Sequence, residues 1–169
     1  GARMFSPGIL KWTWLAARMF DNPFIHTLAA HLGPAIQQVS TRDGYNQQVE
    51  DELLCQSEWQ DDGYRLFENS VPAPSSCHGW LGPLAESNAF FMKKSTYTML
   101  GGFDEKFTAA GGGLANLDFF RRAMDAEFLQ PVRLIGEATF HQVHGGITTN
   151  IVPGIQRDKV VSTFFKEYE

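Results

Sequence analysis

Thiols are scarce in this 169-residue chain: Cys55 and Cys77 stand alone and far apart. With no Cys-x-x-Cys they suggest neither a disulfide framework nor a thiolate zinc site, and this usage fits a reducing, cytoplasmic setting. Basic residues are also few and scattered, 14 Lys and Arg against 19 Asp and Glu, for a formal net charge of −5. Nothing resembles the dense cationic cluster that tracks a phosphate backbone, so nucleic acid is not an expected partner. The sequence has no run of some eighteen apolar residues, and its N-terminus lacks the charged, apolar and small-residue order of a secretory signal. No internal repeat or low-complexity tract stands out.

What is present is 43% hydrophobic residues, enough at this length to bury one core. One domain over 1–169 is expected. Gly1-Ala2-Arg3 in place of an initiator Met reads as a position inside a longer protein.

Short helices and strands alternate along the chain, which argues α/β. Ser6-Pro7 reads as a helix start, with Ser6 as cap, for a helix over 9–20. Its basic residues, Lys11 and Arg18, are too few to argue for a lipid surface. Asn22-Pro23 breaks that helix, and 24–32 reads as a strand carrying His26 and His31, both expected to be structural. A short helix over 35–39 and a turn at 41–44 follow. Val49, Leu53 and Leu54 give helical spacing over 46–59, beside the acidic triplet Glu50-Asp51-Glu52. Such a triplet is ordinarily a solvated face, although crowding of carboxylates raises the pKa of some and could supply a base. Residues 64–67 read as a strand and 69–83 as a loop bearing Cys77, His78 and Trp80. An indole there either stacks on a sugar or plugs the core edge. A strand over 87–92 and a short helix to Leu100 lead to Gly101-Gly102, and a last helix is expected over 160–168.

The chemistry concentrates between Gly101 and Gly146. Leu117, Phe120, Met124 and Phe128 make one stripe of a helix, with Asp118 at its edge ahead of Arg121 and Arg122. That spacing allows an ion pair with either guanidinium. It also leaves a carboxylate at the rim of a cleft behind Gly111-Gly112-Gly113, where it could take a hydroxyl proton. A strand over 132–140 then delivers His141 and His144. His-x-x-His at a strand end is a moderate metal signal, and one imidazole joined by oxygen ligands suits Mn²⁺ or Mg²⁺. Gly145-Gly146 would admit a close approach.

Asn88-Ala-Phe-Phe-Met-Lys-Lys, Gly101-Gly-Phe-Asp-Glu, Leu117-Asp118-Phe-Phe-Arg-Arg and Phe140-His141-Gln-Val-His144-Gly-Gly resemble, in that order, the acceptor-side half of a family 2 glycosyltransferase. The resemblance implies the C-terminal half of a GT-A fold, a mixed sheet with flanking helices. It also implies transfer of a sugar from a nucleotide-sugar to a glycan or other hydroxyl acceptor. Asp118 would be the base. His141, with His144 second, would hold a divalent Mn or Mg ion that neutralises the departing diphosphate. Trp80, Asp104 and Glu105 would border the acceptor. The family's Glu-Asp pair is absent here, which keeps Asp51 as an alternative base. Its nucleotide-binding half, with an Asp-x-Asp metal motif, would precede residue 1. An apolar face left by that half would favour self-association. The competing expectations are a non-catalytic module that binds carbohydrate or protein, and a small metal-dependent hydrolase built on the two histidines.

Overall fold

The computed structural model describes residues 3–109, 112–144 and 155–168, with the side chains of 155–158 and 160 excepted. It is α/β, a curled mixed sheet with helices packed on it. Strand β2 (Pro23–Leu32) is buried at all ten positions and forms its spine. Strand β5 (Gln130–His141) lies parallel to β2 on one side, and β1 (Arg3–Phe5) lies antiparallel to β5 beyond it. The other edge of β2 is shared by two short antiparallel partners. Strand β4 (Phe90–Phe91) takes Ile25 and His26, and β3 (Ser70–Pro72) takes Ala30 to Leu32. Strands buried on both faces need apolar or paired residues throughout, and Phe24-Ile-His-Thr-Leu-Ala-Ala-His-Leu supplies them.

Three clusters divide the core. Helix α1 (Ile9–Met19) packs Ile9 and Ala16 on Ile25 and Leu134. Helix α5 (Ala115–Asp125) packs Phe119, Phe120 and Ala123 on Phe24, near the start of β2. Leu28, Ala30, Leu32 and Phe140 meet Leu54 of α3 (Gln47–Ser57) near its end. Two short helices, α2 (Gln37–Ser40) and α4 (Lys94–Met99), flank the sheet, and α6 (Ile155–Tyr168) closes the described chain.

Several expectations are corrected. Ser6 does not cap α1; the flanking residue is Gly8, and the Ser6 hydroxyl instead bonds Glu137 and the Ala138 carbonyl. Residues 63–67 form a 3₁₀ turn rather than a strand, because the Asp62 carboxylate captures the Tyr64 N–H and starts a helical turn. The expected loop contains β3, with Pro72 on a sheet edge, where a missing N–H costs little. The last helix begins at Ile155, earlier than expected. In β5 the register slips between the pairs His26–Arg133 and Leu28–Ala138. Gly136 sits in this bulge at φ +82°, a conformation that favours glycine. Thr27 donates to the Glu137 carbonyl there, and the Trp80 indole donates to the same oxygen at 3.1 Å.

Candidate functional site

Parallel strands leave their carboxyl ends side by side, and in open α/β sheets ligands bind outside those ends. Here the ends of β2 and β5 bring His31 opposite His141, with Arg3 of β1 opposite His141 on its other side. Side chains opposite one another across a ladder share a face. The result is a row Arg3, His141, His31, with the two ring centroids 5.5 Å apart.

His144 joins this row. Its Nε2 lies 3.0 Å from the Nε2 of His141, with ring centroids 4.8 Å apart. Residues three apart on a continuing strand would face opposite ways; β5 ends at His141 and residues 142–144 carry no regular structure, which brings the two rings to one side. A buried carboxylate holds that segment: Glu50, 3% exposed, accepts the Val143 N–H at 2.9 Å on Oε2 and 3.1 Å on Oε1. The Tyr45 hydroxyl donates to Glu50 Oε2 at 3.2 Å, and the Tyr45 ring packs where a side chain at Gly33, just past β2, would stand. Burial pushes the Glu50 carboxyl up and the Tyr45 phenol up, and the carboxylate beside that phenol adds to its rise.

His31 and His141 titrate low. Burial, helped by the Arg3 guanidinium, pushes His31 down to about 4. Burial, then Arg3 and the neighbouring His31 and His144, pushes His141 down to about 3. Both rings are therefore neutral at pH 7, the form in which a ring nitrogen can ligate a metal. His31 accepts the Gln37 N–H on Nδ1 at 2.8 Å, which places its own proton on Nε2. His141 Nδ1 is buried with no partner.

Does this pair fit a divalent ion? Neighbouring corners of an octahedron with bonds of ~2.1 Å stand ~3 Å apart, and the two Nε2 atoms are 3.0 Å apart. Two corners are what the pair offers. Among the described residues no group of three or more His, Cys, Asp and Glu side chains could hold an ion, so the remaining positions fall to water or to ligand oxygens.

The other expected site residues lie elsewhere. Asp118 accepts from Arg122 Nε at 2.8 Å, and the same guanidinium donates to the carbonyls of Leu100 at 2.6 Å and Gly102 at 2.8 Å. Helix α5 rides on the opening half of β2, where Phe120 meets Phe24 and His26. His31 is five residues further on, roughly 17 Å along a strand. Asp118 is thus not brought to the histidines by any contact, and it takes up the ion pair that its spacing allowed. Asp51 is exposed and lines an open hollow of about 440 Å³ with Cys55, Glu58 and Trp59. Asp104 caps its own turn, accepting the Lys106 N–H at 3.0 Å, and Glu105 is exposed. Trp80 packs on Phe67, and its indole N–H is committed to Glu137. Gly111, Gly145 and Gly146 lie outside the described residues.

The chain matches no family model, no curated protein and no solved structure. The site therefore rests on its own residues. Arg3, His31 and Tyr45 are members that sequence reasoning missed, and Glu50 was read only as part of an acidic triplet. For Glu50 a signal existed: it lies four residues before Leu54, hence on the same face of α3 as a core leucine. Among the described residues no helix is long and apolar enough to cross a membrane.

Proposed function

We propose that this chain is the acceptor-side part of a metal-assisted glycosyltransferase of the GT-A type, acting on a nucleotide-sugar donor and a hydroxyl acceptor. One observation carries the reading: two imidazoles with their Nε2 atoms 3.0 Å apart stand at the carboxyl end of a parallel strand pair. That is where a nucleotide ligand would be met in such a sheet. A divalent ion bound there supplies charge neutralisation for a leaving diphosphate. His141 and His144 would hold it, and Arg3 at the end of the row adds a fixed positive charge facing the same ligand. Glu50 keeps the two rings together. In this reading Asp118 belongs to the turn at Leu100–Gly102 and exposed Asp51 lines a separate hollow beside Cys55 and Trp59, so neither is assigned as the base for the acceptor hydroxyl.

The test is calorimetry of the chain with UDP and GDP, each with and without Mn²⁺. Binding of one nucleotide that needs Mn²⁺, and that falls at least tenfold in His141→Ala, is expected. Equal heats with and without the ion, or equal affinity in His141→Ala, would overturn the reading. Stoichiometric zinc in the purified protein would point instead to a hydrolase.

A further inference from the structure

Side chains at 141 and 144 meet because the backbone leaves the strand after His141 and runs on without regular structure, and a segment outside the sheet ladder leaves its N–H groups to find acceptors. The Val143 N–H finds one in Glu50, donating to both carboxylate oxygens at 2.9 and 3.1 Å. A carboxylate is the strongest acceptor a side chain offers to a backbone N–H. Glu50 is fixed in turn from its own helix and by the Tyr45 hydroxyl, and Tyr45 is wedged against Gly33. The sequence Gly33, Tyr45, Glu50, Val143 thus ties the end of β2 to the end of β5 outside the sheet. The two histidines flank its last member. A glutamate 3% exposed is costly to bury unless its acceptors are used, and here they are used on the Val143 N–H and the Tyr45 hydroxyl.

We propose that Glu50 is a positioning residue for the histidine pair: by fixing the Val143 N–H it sets the path of the segment that carries His144 onto His141. The proposal rests on the reading of that pair as the ion-holding group. It adds a residue that contacts neither ion nor substrate. Its side chain acts through geometry, so an isosteric acceptor should replace it in large part and an alanine should not.

The experiment uses the whole chain, metal-free first. Wild type, Glu50→Gln and Glu50→Ala are compared by long-range ¹H–¹⁵N spectra of the imidazoles and by hydrogen exchange at the Val143 amide. In wild type the His141 and His144 Nε2 signals should show one shared hydrogen bond, and the Val143 amide should be protected. Glu50→Gln keeps an amide oxygen for Val143 and should retain both signatures. Glu50→Ala should lose both, with the Val143 amide exchanging as an open loop. Mn²⁺ is then added alone, read by paramagnetic broadening of the imidazole signals. Affinity should fall about 10- to 100-fold in Glu50→Ala, the loss usual when a partner behind a ligand is removed, and should mostly recover in Glu50→Gln. Unchanged imidazole signals in Glu50→Ala, or equal losses in the two variants, would overturn the proposal. Because the metal-free spectra need no nucleotide, they decide the role of Glu50 even where UDP and GDP fail to bind.

Discussion

Acid should unfold this protein well above the pH at which ordinary carboxylates titrate, and three buried histidines set the magnitude. His26, 2% exposed, is pushed down to about 4 by burial, with the Phe24 carbonyl opposing and the nearby Arg133 adding a smaller push. His31 is held at about 4 and His141 at about 3, both by burial and by Arg3. In the unfolded chain each returns to ~6.5. The folded values are depressed, so the unfolded state takes up protons first. Stability is complete above pH 6.5 and is lost as pH falls from there toward 4. For one histidine with a folded pKa near 4, moving from pH 7 to pH 5 costs about 2 kcal/mol. Three together cost about 5 kcal/mol, a large part of the 5–15 kcal/mol typical of a domain. Glu50, whose carboxyl is raised by burial, works in the opposite direction. Urea unfolding at pH 7, 6 and 5, followed by tryptophan fluorescence, gives the midpoint at each pH. The midpoint should fall steeply with an unchanged slope. In His26→Gln, which removes one of the three, the fall should shrink by about 2 kcal/mol. Equal midpoints at pH 5 and pH 7 would refute the burial argument for all three rings.

Other perturbations separate built contacts from decorative ones. Arg122→Ala removes three hydrogen bonds at once and leaves Asp118 unpaired at 15% side-chain exposure; a loss of about 2–3 kcal/mol is expected by urea unfolding. Arg121→Ala breaks an exposed pair with Asp125 and an exposed hydrogen bond to the Tyr168 hydroxyl, and should leave the urea midpoint close to that of the wild type. Gly8→Ala would put a methyl 2.2 Å from Glu137 Oε1 and 2.6 Å from the Tyr64 hydroxyl. Overpacking of this kind costs about 1–3 kcal/mol, read as a lower melting temperature. Gln37 is 1% exposed, and neither end of its amide finds a partner. Gln37→Leu should therefore raise stability by about 1 kcal/mol, and a drop in calorimetric melting temperature would show that the amide has a role.

Periodicity made α1, β2, α3, α5 and β5 legible, because each is long enough for one face to repeat. Of the short pieces, α2, α4 and β4 were legible in place with shifted bounds, and others were not. Tyr64-Arg-Leu-Phe alternates like a strand, yet one carboxylate at Asp62 turns it into a 3₁₀ turn. Ser70-Val-Pro reads as loop until Ala30, His31 and Leu32 are set beside it. The bulge at Gly136 leaves only an isolated glycine as its trace. The histidine pair was visible because both members lie within four residues. His31 was invisible because its neighbour is 110 positions away by number and one strand away in space. No single-sequence pattern reports which strand lies beside which.

The two carboxylates show why position on a helix decides function better than residue type does. Asp118 and Glu50 each lie in the first turn of an eleven-residue helix, and each was readable as a base. Four residues after Asp118 stands Arg122, so the helix presents the carboxylate to a guanidinium and spends it on the Leu100–Gly102 turn. Four residues after Glu50 stands Leu54, which is buried against the sheet, so the helix carries the carboxylate inward to the Val143 amide. Exposed Asp51, the next residue, is turned ~100° away and meets solvent. An acid beside a core leucine is dragged to the end of the sheet where the strands stop, and there the unpaired backbone and the histidines are found.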